Sequence, residues 1–325
     1  MPSPSLPNPH PIELQAPDIE PYRAGNTGVD YVTTFDSGAA GPHVMISAIV
    51  HGNELCGPVA LDWLFRQNVR PQNGRLTLAF VNVAAYGNWD PDDPFASRWV
   101  DEDFNRLWAP DVLEDDRKTV ELERARALRP ILDTVDLLLD IHSMQTPSPP
   151  LMMAGPLAKG RALAREVGVP ELVVTDKGHA AGRRMRDYAG FADPESAKNA
   201  LLVECGQHWA AGAGDLATET AVRFLRAAGS VDALFGQDVA PAAAPAQHFI
   251  EVTEGVTIQA ETFTFAREFQ GGEVIPEAGT LLGHDGDQPV HTPYDDCVLI
   301  MPTRRTYRGQ TAVRLGRFVP AEVAR

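Results

Sequence analysis

A histidine and a glutamate stand three residues apart in His51-Gly-Asn-Glu54, directly after the apolar run 44–50. Zinc accepts both imidazole nitrogen and carboxylate oxygen, so the pair is a candidate half of a metal site. If residues 54–66 form a helix, positions 51 and 54 lie about one turn apart at its start and converge on one ion. A catalytic zinc takes three protein ligands and leaves a fourth position for water or substrate, so a third donor is expected elsewhere.

Leu137-Leu-Leu-Asp140-Ile141-His142-Ser143 supplies one, a histidine closing an apolar, strand-like run. A solitary histidine there is more often structural. In company with His51 and Glu54 it completes a ligand set. Asp140 shares a strand face with His142, which places its carboxylate to hold the imidazole from behind or to orient a group near the metal.

A second apolar run ends on a carboxylate in Leu201-Leu-Val-Glu204-Cys205-Gly206. That is costly unless a partner or a function holds it there. Beside an activated water such a carboxylate takes the proton and passes it to a leaving amine, which makes Glu204 the candidate general base. Arg98-Trp-Val-Asp-Glu-Asp103-Phe-Asn105-Arg106 is densely charged. In a metal cleft one arginine polarises the scissile carbonyl, and another grips a substrate carboxylate through paired hydrogen bonds, with Asn105 able to share it. A thiol mechanism would instead use Cys205 with His208 as its base. Strand alternation argues against it, since Cys205 should face the core, opposite Glu204.

Elements that could position these groups follow from the patterning. Strands are expected at 44–50, 76–83, 135–141, 172–175 and 201–205, and helices at 55–67, 116–130, 158–167 and 214–228. Such alternation predicts an α/β layer, with functional groups at the carboxyl ends of strands, where His51, His142 and Glu204 fall. Residues 240–247, alanine and proline with no pattern to pack, read as a linker between a catalytic domain at 1–239 and a β domain at 248–325. In the latter, short strands are expected at 249–252, 256–260, 297–301 and 311–315.

The 325-residue chain carries a net charge of −16, which disfavours nucleic acid and anionic membranes as partners. Its three cysteines form no short-spaced pair. No apolar stretch approaches the roughly 18 residues of a membrane span. Residues 1–11 are proline-rich without a basic start or apolar core, so no secretory signal is visible and a cytoplasmic location is expected. Self-association is compatible with these features.

In order and type, His51-Gly-Asn-Glu54, Arg98 with Asp103-Phe-Asn105-Arg106, Asp140-Ile-His142-Ser143 and Glu204-Cys-Gly206 resemble the succinylglutamate desuccinylase and aspartoacylase family, relatives of the zinc carboxypeptidases. The resemblance implies a zinc-carboxypeptidase-like mixed sheet flanked by helices, with a small carboxyl-terminal all-β domain that narrows the cleft. It also implies one zinc ion held by His51, Glu54 and His142, with Glu204 promoting attack of water on an amide. Arg98 would polarise the carbonyl, Asn105 and Arg106 would bind an N-acyl amino acid, and Tyr294 would reach the site mouth. One departure stands out. Aspartate-specific members carry an arginine shortly before the catalytic glutamate, whereas residues 191–200 offer only Lys198; Arg183, Arg184 and Arg186 lie upstream, in and beyond a glycine-rich stretch that could close over a ligand. A carboxypeptidase of short peptides and a non-catalytic binding protein are the competing readings.

Overall fold

A computed structural model describes residues 8–320; residues 1–7, the start of the proline-rich opening, and 321–325, the end of the expected β domain, lie outside the described residues. In chain order the elements are β1 (Val32–Asp36), β2 (His43–Ala48), α1 (Cys56–Arg66), β3 (Arg75–Phe80), α2 (Val83–Tyr86), α3 (Pro110–Leu113), α4 (Val120–Leu132), β4 (Leu137–Met144), β5 (Leu151–Met153), α5 (Ala158–Val167), β6 (Leu172–Thr175), β7 (Asn199–Gln207) and α6 (Ala211–Ala227). There follow β8 (His248–Thr257), β9 (Phe263–Phe265), β10 (Val274–Ile275), β11 (Leu281–Asp285), β12 (Gln288–His291), β13 (Cys297–Ile300) and β14 (Thr311–Val319). Eleven strands form one mixed sheet in the order β1-β3-β2-β4-β7-β5-β6-β8-β14-β13-β10, and β12-β11-β9 form a small antiparallel sheet.

Both faces of the central strands are buried, so these strands read as continuous apolar runs, as covered parallel strands do. Alternate residues serve different cores. Leu139 and Ile141 of β4 and Leu201, Val203 and Cys205 of β7 pack with α1, α5 and α6. Met45, Leu138 and Ala200 face the opposite way, against α4. On that second face the strands turn from apolar to polar toward their carboxyl ends: Leu138 gives way to Asp140 and His142, and Ala200 to Leu202 and Glu204. The period of two thus carries a packing surface directly into a cluster of charged groups.

The boundaries differ from expectation in ways with local causes. Helix α1 begins at Cys56, so His51 and Glu54 sit on a turn ahead of the helix rather than on its first turn. Ile49, fully buried at φ 56°, redirects the chain out of β2 into that turn; a β-branched residue there is strained by about 1–3 kcal/mol and is held by its surroundings. Gly52 is required next, because a Cβ would lie 2.4 Å from the Ser97 carbonyl oxygen, in the segment that carries Arg98. Helix α4 starts late because Thr119 caps it, accepting a bond from the Leu122 amide. The expected strands 249–252 and 256–260 are largely one strand, β8.

Residues 240–247 contain no helix or strand and are mostly exposed. The sheet nevertheless runs across this point, because β8 pairs in parallel with β6. The carboxyl-terminal part therefore continues the main sheet edge to edge through β8, β14, β13 and β10.

One buried carboxylate organises the loop that feeds the site. Glu121, fully buried on α4, accepts hydrogen bonds from the amides of Val100 (2.6 Å), Asp101 (3.0 Å) and Glu102 (3.2 Å) and from Asn82 Nδ2 (3.2 Å). Glu121→Ala leaves these donors without an acceptor, at a cost of about 1–3 kcal/mol. The expected result is a lower midpoint in thermal unfolding; an unchanged midpoint would show that the carboxylate is dispensable for this loop.

Candidate active site

His51 enters from the turn after β2, His142 from the carboxyl half of β4 and Glu54 from between them. Their ligand atoms all lie within 4.8 Å of one another, and all three side chains are buried. The two oxygens of Glu54 are divided between the histidines, Oε1 at 2.7 Å from His51 Nδ1 and Oε2 at 2.9 Å from His142 Nδ1. Oε2 also accepts the Ser143 amide at 3.1 Å. The far nitrogens are held by carboxylates: His51 Nε2 lies 2.9 Å from Asp103 Oδ1, and His142 Nε2 lies 2.8 Å from Asp140 Oδ2. Asp140 is itself steadied by Ser47 Oγ at 2.7 Å.

This is the arrangement in which a carboxylate fixes the Nε2–H tautomer and presents the Nδ1 lone pair to a cation. Arg98 Nη2 also lies 2.9 Å from His51 Nε2, but one ring nitrogen cannot both donate to Asp103 and accept from a guanidinium. Donation to Asp103 is the consistent choice, with Arg98 directed at Glu54 Oε1 (3.3 Å) and Asp103 Oδ2 (3.4 Å).

The electrostatics fit a cation. Burial opposes charge on Glu54, yet His51 and His142 hold its carboxyl well below the usual range. For His142, burial opposes protonation, while Asp140 and Glu54 raise the ring well above its ordinary value. Carboxylates on both of its nitrogens demand positive charge at this point, which a divalent ion among the two Nδ1 atoms and Glu54 would supply in place of protons. Donor types and number match a catalytic zinc site.

Glu204 stands beside His142 in register across β4 and β7. It is 7% exposed and its Oε2 has no hydrogen-bond partner among the described residues. Burial pushes its carboxyl up to about 8, with Glu54 adding to the rise while His142, Arg98 and Arg314 oppose it. A carboxylate so placed is poised to exchange a proton near neutral pH.

His51, Arg98, Asn105, Arg106, His142 and Glu204 all line one cleft. Asn105 is anchored by accepting the Met185 amide at 2.8 Å, and its Nδ2 lies 3.4 Å from His142 Nε2. Asp103, quoted above only as part of a motif, proves to orient His51. His208, named above as a thiol's base, instead bonds Ser143 Oγ through Nδ1 at 2.8 Å. Burial pushes His208 down to about 3, so its ring is neutral. Cys205 packs in the opposite core, and burial together with Cys56 raises its thiol well above the ordinary value, which removes it as a nucleophile.

Tyr294 is a correction. It does not line the cleft: its hydroxyl pairs with Thr253 Oγ1 at 2.6 Å, and Arg317 covers its ring at 4.6 Å, within the carboxyl-terminal cluster. Packing is the commoner fate of a tyrosine between strands. Lys198 is also turned away, its Nζ bonded to the Asp133 carbonyl at 2.6 Å. The carboxyl-terminal part reaches the cleft by other residues, Met301, Thr303, Arg305, Gln310, Thr311 and Arg314 among them.

Residues 40–234 match the family described as the succinylglutamate desuccinylase/aspartoacylase catalytic domain. No curated protein matches the chain in sequence. Among solved structures, succinylglutamate desuccinylase from Vibrio cholerae is similar over 90% of this chain and 89% of its own, at 18% identity and a TM-score of 0.66. A succinylglutamate desuccinylase/aspartoacylase from Rhodobacter sphaeroides matches over 89% of each chain, at 19% identity and a TM-score of 0.61. A product-bound ectoine utilization protein from Ruegeria pomeroyi matches over 90% of this chain and 92% of its own, at 18% identity and a TM-score of 0.59. At such identities these likenesses establish the shared fold.

Proposed function

Because the chain belongs to the succinylglutamate desuccinylase/aspartoacylase family of hydrolases, we propose that it is a zinc-dependent deacylase that removes a small acyl group from an N-acyl amino acid. The observation that carries this reading is the buried His51–Glu54–His142 cluster with the unpartnered Glu204 carboxylate at its side. Zinc bound there would supply Lewis acidity, bringing the pKa of water toward 7 and polarising a carbonyl.

The protein's own groups do the rest. Glu204 takes the proton of the attacking water and returns it to the leaving amine. Arg98, fixed between Glu54 and Asp103, lies ready to stabilise negative charge developing on the acyl oxygen. Asn105 and Arg106 face the cleft from the neighbouring loop and receive the substrate carboxylate, a task suited to amide and guanidinium donors. Asp140 and Asp103 keep the two imidazoles in one tautomer. The carboxyl-terminal residues that wall the cleft favour a small acylated amino acid over an extended peptide.

The direct test is a hydrolysis screen of the zinc-loaded protein over acetyl, succinyl and formyl amino acids, read by release of free amine. Turnover of at least one of them is expected; inertness across the whole series would overturn the reading. Arg98→Ala should lower kcat at saturating zinc by about 10²- to 10³-fold, the usual worth of an oxyanion donor. An unchanged kcat would reduce Arg98 to a structural partner of Asp103.

A further inference from the structure

His208 and Ser143 line the same cleft as His51, His142 and Glu204. Neither is a candidate ligand or base. Ser143 follows His142 on β4, and its amide donates to Glu54 Oε2 at 3.1 Å, the same oxygen that faces His142 Nδ1. His208 follows the last residue of β7, and its amide donates to the Met144 carbonyl at 2.8 Å. The two side chains meet at these strand ends, with Ser143 Oγ 2.8 Å from His208 Nδ1.

The direction of that hydrogen bond follows from the partners each group has. Ser143 is buried, and among the described residues the His208 ring is the only hydrogen-bond partner of its hydroxyl. A hydroxyl that accepted from Nδ1–H would leave its own proton buried without an acceptor, which is costly. Ser143 therefore donates to Nδ1, and the proton of the neutral ring stands on Nε2. His208 is fully buried, and its Nε2 has no partner among the described residues. The fold fixes a neutral donor and leaves it without an acceptor.

The surroundings of the ring point to the acceptor it is built for. Burial holds the ring neutral, with Arg98 and His51 adding to that effect and Glu54 opposing it. These neighbours belong to the candidate metal cluster and to the acyl oxygen. Asn105, by contrast, adjoins His142 at Nε2, the nitrogen turned away from Glu54. A serine nucleophile with histidine as its base would be another use of the pair. It fails because a ring pushed down to about 3, with no carboxylate on Nε2 among the described residues, is too weak a base to activate a hydroxyl.

We propose that His208 donates from Nε2 to the acyl oxygen of the substrate, as a second donor beside Arg98, with Ser143 holding its ring in place. Such a donor gains most as negative charge develops on that oxygen, so its effect falls on the transition state. The inference rests on the deacylase reading and adds a catalytic residue, His208, and a positioning residue, Ser143.

His208→Leu should lower kcat by about 10²- to 10³-fold while leaving KM nearly unchanged. His208→Gln, whose amide can present an N–H near the place of Nε2, should recover roughly tenfold or more of that loss, and Ser143→Ala should fall between His208→Leu and the unsubstituted protein. Calorimetry supplies a readout apart from turnover, using a methylphosphonamidate of the best substrate, tetrahedral at phosphorus. Its affinity should fall in His208→Leu by about the same factor as kcat/KM, while affinity for the product amino acid is unchanged. Zinc content and thermal unfolding, followed in parallel, separate this from loss of fold; if His208→Leu does not fold, Ser143→Ala decides, with a kcat lower by roughly tenfold at full zinc content. Unchanged kcat in the deciding variant, or an equal loss of phosphonamidate and product affinity, would overturn the proposal. An unsubstituted protein that hydrolyses no N-acyl amino acid sinks the deacylase reading and this role together, whereas an active protein indifferent to His208 sinks the role alone.

Discussion

Glu204→Gln is expected to retain zinc while losing about 10²- to 10⁴-fold in kcat, the usual contribution of a positioned base. The substitution is nearly isosteric, and the three candidate ligands are untouched. Glu204 is not bonded to any of them, so metal binding has no reason to change; what disappears is the group that moves the proton. Its pH dependence sharpens the test. In the ion-free protein, burial pushes the Glu204 carboxyl up to about 8, so its neutral form dominates below that pH. A cation at the His51–Glu54–His142 cluster favours the carboxylate and moves the ionisation lower. With zinc, kcat/KM should therefore rise with pH along a limb ending below about 8, and residual activity of the glutamine variant should lack that limb. Near-normal turnover in the variant would dismiss Glu204 as the base.

His142→Ala is expected to abolish stable metal binding. Like His51, this ring has carboxylates on both nitrogens, here Glu54 at 2.9 Å and Asp140 at 2.8 Å. Removing it takes away a donor and also strands Asp140, a fully buried carboxylate, without its cationic partner. Losing one member of a buried pair costs roughly 3–5 kcal/mol, so stability should fall as well. The double variant with Asp140→Asn separates the effects: it removes the stranded charge and recovers stability, but not metal. Zinc affinity should drop beyond the roughly 10- to 100-fold typical of losing an orienting residue behind a ligand. Full occupancy after dialysis would mean that the third ligand lies elsewhere.

His51, His142 and Glu204 were legible because each closes an apolar run, and a polar group in that position asks for a reason. The same logic identified Asp140, two residues from His142 on one face of β4, and placed Cys205 in the opposite core. The α/β layer was legible too, since buried parallel strands and amphipathic helices have different periods. Other features depend on contacts between segments distant in sequence. The turn holding His51 and Glu54 owes its shape to a left-handed Ile49 and to the approach of Ser97 on Gly52. Continuation of the sheet through β8 rests on backbone pairing with β6, which residues 240–247 do not encode in their composition. Tyr294 was misplaced because it lies in the loop between β12 and β13, where contacts with Thr253 and Arg317 from other strands, not residue type, decide where the ring packs. Arg305 and Arg314 went unnoticed for the complementary reason: an arginine is ordinarily solvated, and only the fold brings these two to the cleft.

The most direct measurement is zinc titration of the chelator-stripped protein, with turnover of its best N-acyl amino acid followed at each addition. Activity should be lost on stripping and return in proportion to zinc, reaching a plateau at one ion per chain. Turnover that persists after the metal is removed, or that zinc does not restore, would contradict the metal-dependent deacylase assigned to His51, Glu54, His142 and Glu204.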